Sequence, residues 1–283
     1  MYQASPNFSL RVACLQTTAT PDVALNLAQV ERLARDAAAA GAQFLALPEA
    51  FDFLAPHRDA VRAHAQREPE NKALQLVSGL TKELGVWILA GSVSARDDSG
   101  NTVNRSVLYD HQGNAVGRYD KIHLFDVDLP DGSSSRESEF YRAGTSAAVV
   151  PTPWGILGLS ICYDVRFAHL YRRLVQRGAT LLSVPAAFSP VTGPLHWHPL
   201  LRARAIETGC FVVAPAQCGD NYAGRHSYGH SLIVDPWGVV LAEGGEQPGV
   251  VLADLDLARV NQFRTAIPSW GLDLPFTDAE QGA

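Results

Sequence analysis

Several things are scarce in this sequence. Among 283 residues there are four cysteines and one methionine. Cys14, Cys162, Cys210 and Cys218 form neither a CxxC pair nor a disulfide-framework spacing, so free thiols in a reducing compartment are expected. No apolar run reaches the roughly 18 residues that a membrane helix needs. The opening MYQASPNFSL lacks a charged segment followed by an apolar one, so a secretory leader is not expected and a cytoplasmic location is. Basic charge is also in deficit: 23 Lys and Arg against 29 Asp and Glu give a net charge of −6. No basic field exists to recruit nucleic acid or an acidic membrane, which leaves a small molecule as the expected partner. No Ser/Gly-rich or Pro-rich linker divides the chain, and one domain over 1–283 with a large core is expected.

What is present is an alternation of strand-like and helix-like segments. LRVACLQT reads as a strand, and Asp22 to Ala40 as a helix with Val23, Leu27, Val30 and Ala34 on one face and Gly41 as its stop. The continuous apolar run AQFLALPEAF suits a strand buried on both faces. Asn71 to Leu84 carries a stripe of Leu74, Val77, Leu80 and Leu84 before Gly85. VWILAGSV and NRSVLYD follow as strands, with HQGN as a hairpin turn. In the second half, strands are expected at WGILGLSIC, ATLLSVPAAF, CFVVAPAQC, HSLIVDPWG and VVLADLDL. Helices are expected at Phe167 to Gln176 and His196 to Thr208. Such alternation combined with hairpins implies an α/β fold of mixed sheets with helices outside. The polar or Gly/Pro-rich segments 126–145 and 188–194 read as long loops of the kind that border active sites.

Three reactive residues occupy the same kind of place, at the ends of strand-like runs: Glu49 after the apolar FLALP, Lys121 after VGRYD and Cys162 after ILGLSI. Strand ends in α/β sheets converge on one edge, where crevices form. A cysteine can attack a carbonyl, a carboxylate can take the thiol proton and return it to a leaving amine, and a lysine can stabilise the oxyanion, helped by a backbone N–H such as that of Tyr163. Each has a plainer reading. Cys162 could be core packing, Glu49 a helix cap and Lys121 a solvated charge, and spacing alone does not choose between the two sets.

The motifs around them do. LPEAF (47–51), RYDKIHLFD (118–126) and ICYDVRF (161–167) resemble the three signature segments of the nitrilase superfamily of carbon–nitrogen hydrolases, in the same order, and the resemblance runs from about Arg11 to Leu257. It implies a four-layer αββα sandwich with a core over about 11–257 and a tail over 258–283. It also implies Glu49 as general base, Lys121 as oxyanion stabiliser, Cys162 as nucleophile and Glu137, in SRESEF, as support for the lysine. No cofactor or metal is implied, and a homodimer or larger homo-oligomer is. The stretches PAAFSPVTGPLHWHPLLRARAIETGCFVVAPAQCG (185–219) and YGHSLIVDPWG (228–238) resemble the branch containing deaminated glutathione amidase, with ω-amidase beside it. That branch implies hydrolysis of the amide of a 2-oxo acid through a cysteine thioester. Arg166 is then expected to hold the substrate carboxylate in a bidentate manner, with Phe188 and Thr192 as further contacts. The alternative for Arg166 is an ion pair with Asp164.

Other clusters carry less. His196, His198, His226 and His230 do not fall at a recognised zinc spacing. Asp126, Asp128 and Asp131 lack the EF-hand pattern and read as a solvated loop, while Cys210 and Cys218 read as core.

Overall fold

The computed structural model describes residues 9–277, so the opening residues 1–8 read for a leader, and 278–283 of the expected tail, lie outside the described residues. Helix α1 (Val23–Ala39) starts where the Asp22 side chain accepts the Leu25 N–H, and α3 (Lys72–Leu84) where Asn71 accepts the Leu74 N–H. Gly85 closes α3 at φ 67°, in the left-handed conformation expected of a helix-ending glycine. Between them lies α2 (Arg58–His64), in which no residue is buried. The second half contributes α4 (Ala168–Gln176), α5 (Gly193–Thr208) and α6 (Ala258–Ala266).

Strands β1 (Ser9–Gln16), β2 (Phe44–Ala46), β3 (Trp87–Arg96), β4 (Thr102–Tyr109) and β5 (Ala115–Asp120) belong to a first sheet. A hairpin of β6 (Asp126–Asp128) and β7 (Ser134–Arg136) follows. A second sheet takes β8 (Ala148–Thr152), β9 (Gly155–Leu159), β10 (Leu181–Ser183) and β11 (Phe211–Ala214). After a hairpin of β12 (Cys218–Tyr222) and β13 (Arg225–Tyr228), β14 (Leu232–Val234) and β15 (Val240–Glu243) extend that second sheet, and β16 (Gly249–Asp256) returns to the first. The strand orders are β16-β1-β2-β3-β4-β5 and β15-β14-β11-β10-β9-β8. Each sheet has three parallel strands at its centre, β1-β2-β3 in one and β9-β10-β11 in the other, flanked by antiparallel neighbours.

The two-residue periodicity of the strands sorts side chains between layers. Ala13, Leu15, Leu45, Ile88 and Ala90 face one way and pack with Val30, Leu33 and Ala34 of α1 and Leu74, Val77 and Leu80 of α3. Val12, Cys14, Phe44, Ala46 and Leu89 face the other way, into one cluster with Leu157, Leu159, Leu181 and Val212 of the second sheet. That cluster continues through the second sheet to Leu170, Leu174, Trp197 and Leu201 of α4 and α5. Helix, sheet, sheet, helix is the four-layer sandwich that the sequence resemblance implies. Truncating any one of these leucines to alanine would cost about 2–5 kcal/mol.

The differences from the sequence reading have local causes. The run AQFLALPEAF forms only three residues of strand, because Pro48 has no N–H to continue the ladder. In α1 the buried stripe includes Asn26, which donates to the carbonyls of Thr20 and Asp52 and so ties the helix to the loop after β2. The segment 126–145 contains the β6–β7 hairpin and a 3₁₀ turn at Glu137–Glu139. Helix α5 starts at Gly193, three residues before the expected His196. Beyond 257, α6 buries Val260 and Phe263 against the core. Among the described residues, no helix is long and apolar enough to cross a membrane.

Candidate active site

The first sheet delivers Glu49. Past β2 the chain stays against β3, with Leu47 N–H donating to the Leu89 carbonyl (2.9 Å) and Ser92 N–H to the Pro48 carbonyl (3.2 Å). Gly91 permits this approach, since a Cβ there would lie 2.0 Å from the carbonyl oxygens of both Leu47 and Pro48. Ala50 then turns at φ 51° and donates its N–H to Ser92 Oγ. Gln217 fixes the turn further, donating to the Glu49 carbonyl while accepting from Ala19 N–H. Glu49 is left buried, with its side chain 9% exposed.

Lys121 leaves the end of β5, pinned through its backbone by the Asn104 carbonyl (2.9 Å) and the Gly144 N–H (2.8 Å). Its ammonium is buried between two carboxylates, 2.9 Å from Glu49 Oε1 and 2.8 and 3.1 Å from Glu137 Oε2 and Oε1. Glu137 is in turn held by the Phe125 N–H at 2.6 Å.

The second sheet delivers Cys162. After β9 the chain enters a 3₁₀ turn, Cys162–Arg166, and Cys162 adopts φ 47°. A left-handed conformation costs a residue with a Cβ about 1–3 kcal/mol and persists only where the surroundings fix it. Here Cys162 N–H donates to the Pro185 carbonyl (2.8 Å). Fully buried Asp164 braces the turn by accepting from Ile161 N–H (2.9 Å), His123 N–H (3.1 Å) and, across from the first sheet, Tyr119 Oη (2.7 Å). The thiol lies close enough to Glu49 for the carboxylate to raise it, and Glu49 Oε2 accepts from Ala187 N–H at 3.0 Å. Glu49, Lys121 and Cys162, beyond strands of both sheets, are thus brought together with Glu137 from the 3₁₀ turn after the β6–β7 hairpin.

The electrostatics set the resting protonation. Burial pushes the Cys162 thiol well up, and the Glu49 carboxylate reinforces this more than Lys121 opposes it. For Glu49 burial acts upward too, but the Lys121 ammonium and the hydrogen bonds it receives outweigh that and leave it below its usual range. Burial would lower Lys121, yet the Glu137 and Glu49 carboxylates raise it well above a normal lysine. The resting site therefore holds a neutral thiol, a carboxylate base and an ammonium.

Beside this group, the Arg166 guanidinium lies over the rings of Phe188 (5.4 Å) and Tyr163 (5.8 Å) and 3.1 Å from His196 Nδ1. The ion pair with Asp164 that the sequence leaves open is not made; Arg166 pairs with no carboxylate among the described residues. Phe188 is buried against Trp197, and half-buried Thr192 caps α5 from its backbone. The Tyr163 N–H makes no intramolecular hydrogen bond among the described residues. Two surface cavities, of 360 Å³ beside Arg118 and Arg142 and 430 Å³ between α4 and α5, are lined by none of these residues.

Three contributors were not singled out from the sequence: Asn104, Asp164 as a brace, and the Ala187 N–H. Asn104 Nδ2 donates to Glu49 Oε1 (2.9 Å) and Glu137 Oε1 (3.2 Å), while its Oδ1 is buried without a partner among the described residues. Asn104 stands beside Arg105 and Ser106 in β4, so nothing in the strand's sequence set it apart. Of the four histidines, His226 sits on Asp220 at the surface, whereas His198 and His230 meet at Glu243. The aspartates 126, 128 and 131 bind the Ser138 N–H, Arg136 and Ser133.

Comparison with known proteins places this arrangement. The chain is 44% identical over 263 residues to bovine (Bos taurus) deaminated glutathione amidase, covering 91% of this chain and 80% of that protein. It superposes with a TM-score of 0.86 on the NitFhit protein of Caenorhabditis elegans, at 36% identity, covering 95% of this chain and 65% of that one. A point mutant of an amidase from Nesterenkonia sp., with the acetamide moiety of fluoroacetamide covalently added at its active-site cysteine, superposes at 0.77 and 29% identity, covering 92% of this chain and 96% of that one. A family model described as carbon-nitrogen hydrolase matches residues 11–265, a span that takes in all four buried residues of the cluster and most of both sheets. By motif, fold and alignment alike, the chain belongs to the carbon–nitrogen hydrolase family of the nitrilase superfamily.

Proposed function

We propose that this chain is a thiol amidase that hydrolyses deaminated glutathione to 2-oxoglutarate and cysteinylglycine. The observation that carries the reading is the buried contact of Cys162, Glu49 and Lys121 beside a guanidinium, Arg166, that no carboxylate among the described residues neutralises. The 44% identity to the bovine amidase supports the choice of substrate.

In this reading Cys162 Sγ attacks the amide carbonyl carbon as its proton passes to Glu49. The thiol is raised and the base lowered, so the thiolate forms in the attack rather than standing free beforehand. The oxyanion is stabilised by the Lys121 ammonium and the Tyr163 N–H. Glu49 then gives its proton to the amide nitrogen, the C–N bond breaks and cysteinylglycine leaves, with the acyl group held as a thioester. Water, deprotonated by Glu49, attacks the thioester; the C–S bond breaks, the proton returns to sulfur and 2-oxoglutarate departs. Arg166 holds the carboxylate at the 2-oxo end of the substrate, with Phe188 and Thr192 lining its path. No cofactor enters any step.

A homodimer or larger assembly and a reducing, cytoplasmic setting belong to the same reading. Leu195 and Ile206 on α5 and Leu272 are exposed apolar surface for a second copy, and all four cysteines are free thiols. Side-by-side kcat/KM values for deaminated glutathione and 2-oxoglutaramate test the substrate, and a preference for the latter would make this an ω-amidase. Cys162→Ala is expected to abolish turnover and the acyl-enzyme seen by mass spectrometry; retained turnover would overturn the mechanism.

A further inference from the structure

His198, His230 and Glu243 come from three separate stretches, α5, the turn between β13 and β14, and the end of β15. One ligand-type atom from each lies within 4.8 Å of the other two. His198 Nε2 stands 3.0 Å and His230 Nδ1 2.8 Å from the same oxygen, Glu243 Oε1. In a tetrahedral zinc site with bonds of about 2.0–2.1 Å, neighbouring ligand atoms are about 3.3 Å apart. Rotamer adjustments of under about an ångström would therefore seat an ion among the three side chains.

We propose that His198, His230 and Glu243 form a divalent transition-metal site, apart from the Glu49–Lys121–Cys162 centre, that takes Zn²⁺. Imidazole with carboxylate is the donor set for this class of ion, where Mg²⁺ and Ca²⁺ prefer oxygen alone. Three protein ligands leave a coordination position for water. Glu243 is 40% exposed on its side chain, against 28% for His198 and 21% for His230, so an ion can enter from the carboxylate side. Glu243 pairs with no lysine or arginine among the described residues, so no fixed cation competes for it.

The backbone presents the second histidine in a way that packing alone does not demand. Gly229 and His230 are both left-handed, at φ 78° and 56°, and the latter is costly for a residue with a Cβ. His230 is fixed there on both sides, donating its N–H to the Gly245 carbonyl (3.0 Å) and accepting from Trp197 Nε1 (2.7 Å). The Tyr228 ring stacks on it at 4.4 Å. A ligand held in advance loses little entropy on binding.

The site also touches the frame of the substrate loop. Trp197, which neighbours His198, packs on Phe188, and Tyr228 N–H donates to the Phe188 carbonyl (3.0 Å). An ion would cross-link α5 to β15 around that frame, raising its stability without contacting the reacting atoms.

The test uses the full chain, stripped with chelator and titrated with Zn²⁺ by calorimetry and with Co²⁺ as a spectroscopic probe. The expected result is one ion per chain, visible ligand-field bands without a thiolate charge-transfer band, and a higher unfolding temperature with Zn²⁺. His198→Ala, Glu243→Gln and His230→Gly should each weaken binding at least about 100-fold. The glycine variant suits the left-handed backbone, so its fold is retained and its result can be read. Absence of stoichiometric binding, or binding that shows a thiolate band and survives all three substitutions, would overturn the proposal; the latter outcome places the ion on a cysteine.

Discussion

The Arg166 guanidinium rests 3.1 Å from His196 Nδ1, in a chain whose surface arginines mostly find carboxylates. Its charge is left for a ligand. A charge-assisted bidentate pair contributes about 1.5–3 kcal/mol. Arg166→Met is therefore expected to lower kcat/KM by about 10–100-fold, mostly through KM. Arg166→Lys should recover part of it, because a point charge replaces the planar fork. A substrate amide without the distal carboxylate should be indifferent to both changes, and steady-state kinetics on the pair of substrates reads this directly.

Asn104 contacts no part of a substrate placed on Cys162 in this scheme, yet it donates to both Glu49 and Glu137. Asn104→Leu should lower kcat about 10–100-fold at nearly constant KM. Removing a donor from the carboxylate raises the Glu49 pKa, so the acid limb of the kcat/KM profile should move to higher pH. A change in KM alone would count against this positioning role.

The wild-type pH profile follows from the same site. In the proposed mechanism, activity requires Glu49 ionised, Lys121 protonated and the proton still on Cys162. The Glu49 pKa is lowered from 4.5, so loss on acidification comes below that value. Those of Cys162 and Lys121 are raised from 9.0 and 10.5, so alkaline loss comes above the thiol's ordinary range. The kcat/KM plot should be flat across the neutral region. A midpoint near pH 7 would mean that a different group limits the reaction.

Gly91→Ala tests the framework beneath Glu49. Its Cβ would meet two backbone carbonyls, which cannot rotate away as a side chain can. A loss of about 3 kcal/mol or more is expected, read as a lower denaturation midpoint. Activity in whatever remains folded should fall as well, since β2 and its following turn must shift.

How much was legible in the sequence follows from where the information lies. Helices α1 and α3 announce themselves by a cap, an apolar stripe and a terminal glycine. Helix α2 has no buried residue and so no stripe to read, and α6 shows only Val260 and Phe263. Glu49, Lys121 and Cys162 were found because each ends a strand-like run inside a recognisable motif. Glu137 came from the motif resemblance alone. Asn104 is one of several polar residues in β4, and its role depends on carboxylates 55 and 33 positions away. The meeting of His198 and His230 at Glu243 was invisible for the same reason: neither sequence spacing nor composition encodes a contact between α5 and β15.

The chemistry is shared between the sheets. Glu49 and Lys121 follow strands of the first, and Cys162 and Ala187 follow strands of the second. Neither sheet carries a working half, so turnover reports on their mutual registry. A slip of about 1 Å between the layers is enough to cost about 100-fold in rate. Mild denaturant or pressure should silence the enzyme while both sheets keep their circular dichroism, making catalysis a finer gauge of the inter-sheet seam than any spectroscopic measure of secondary structure.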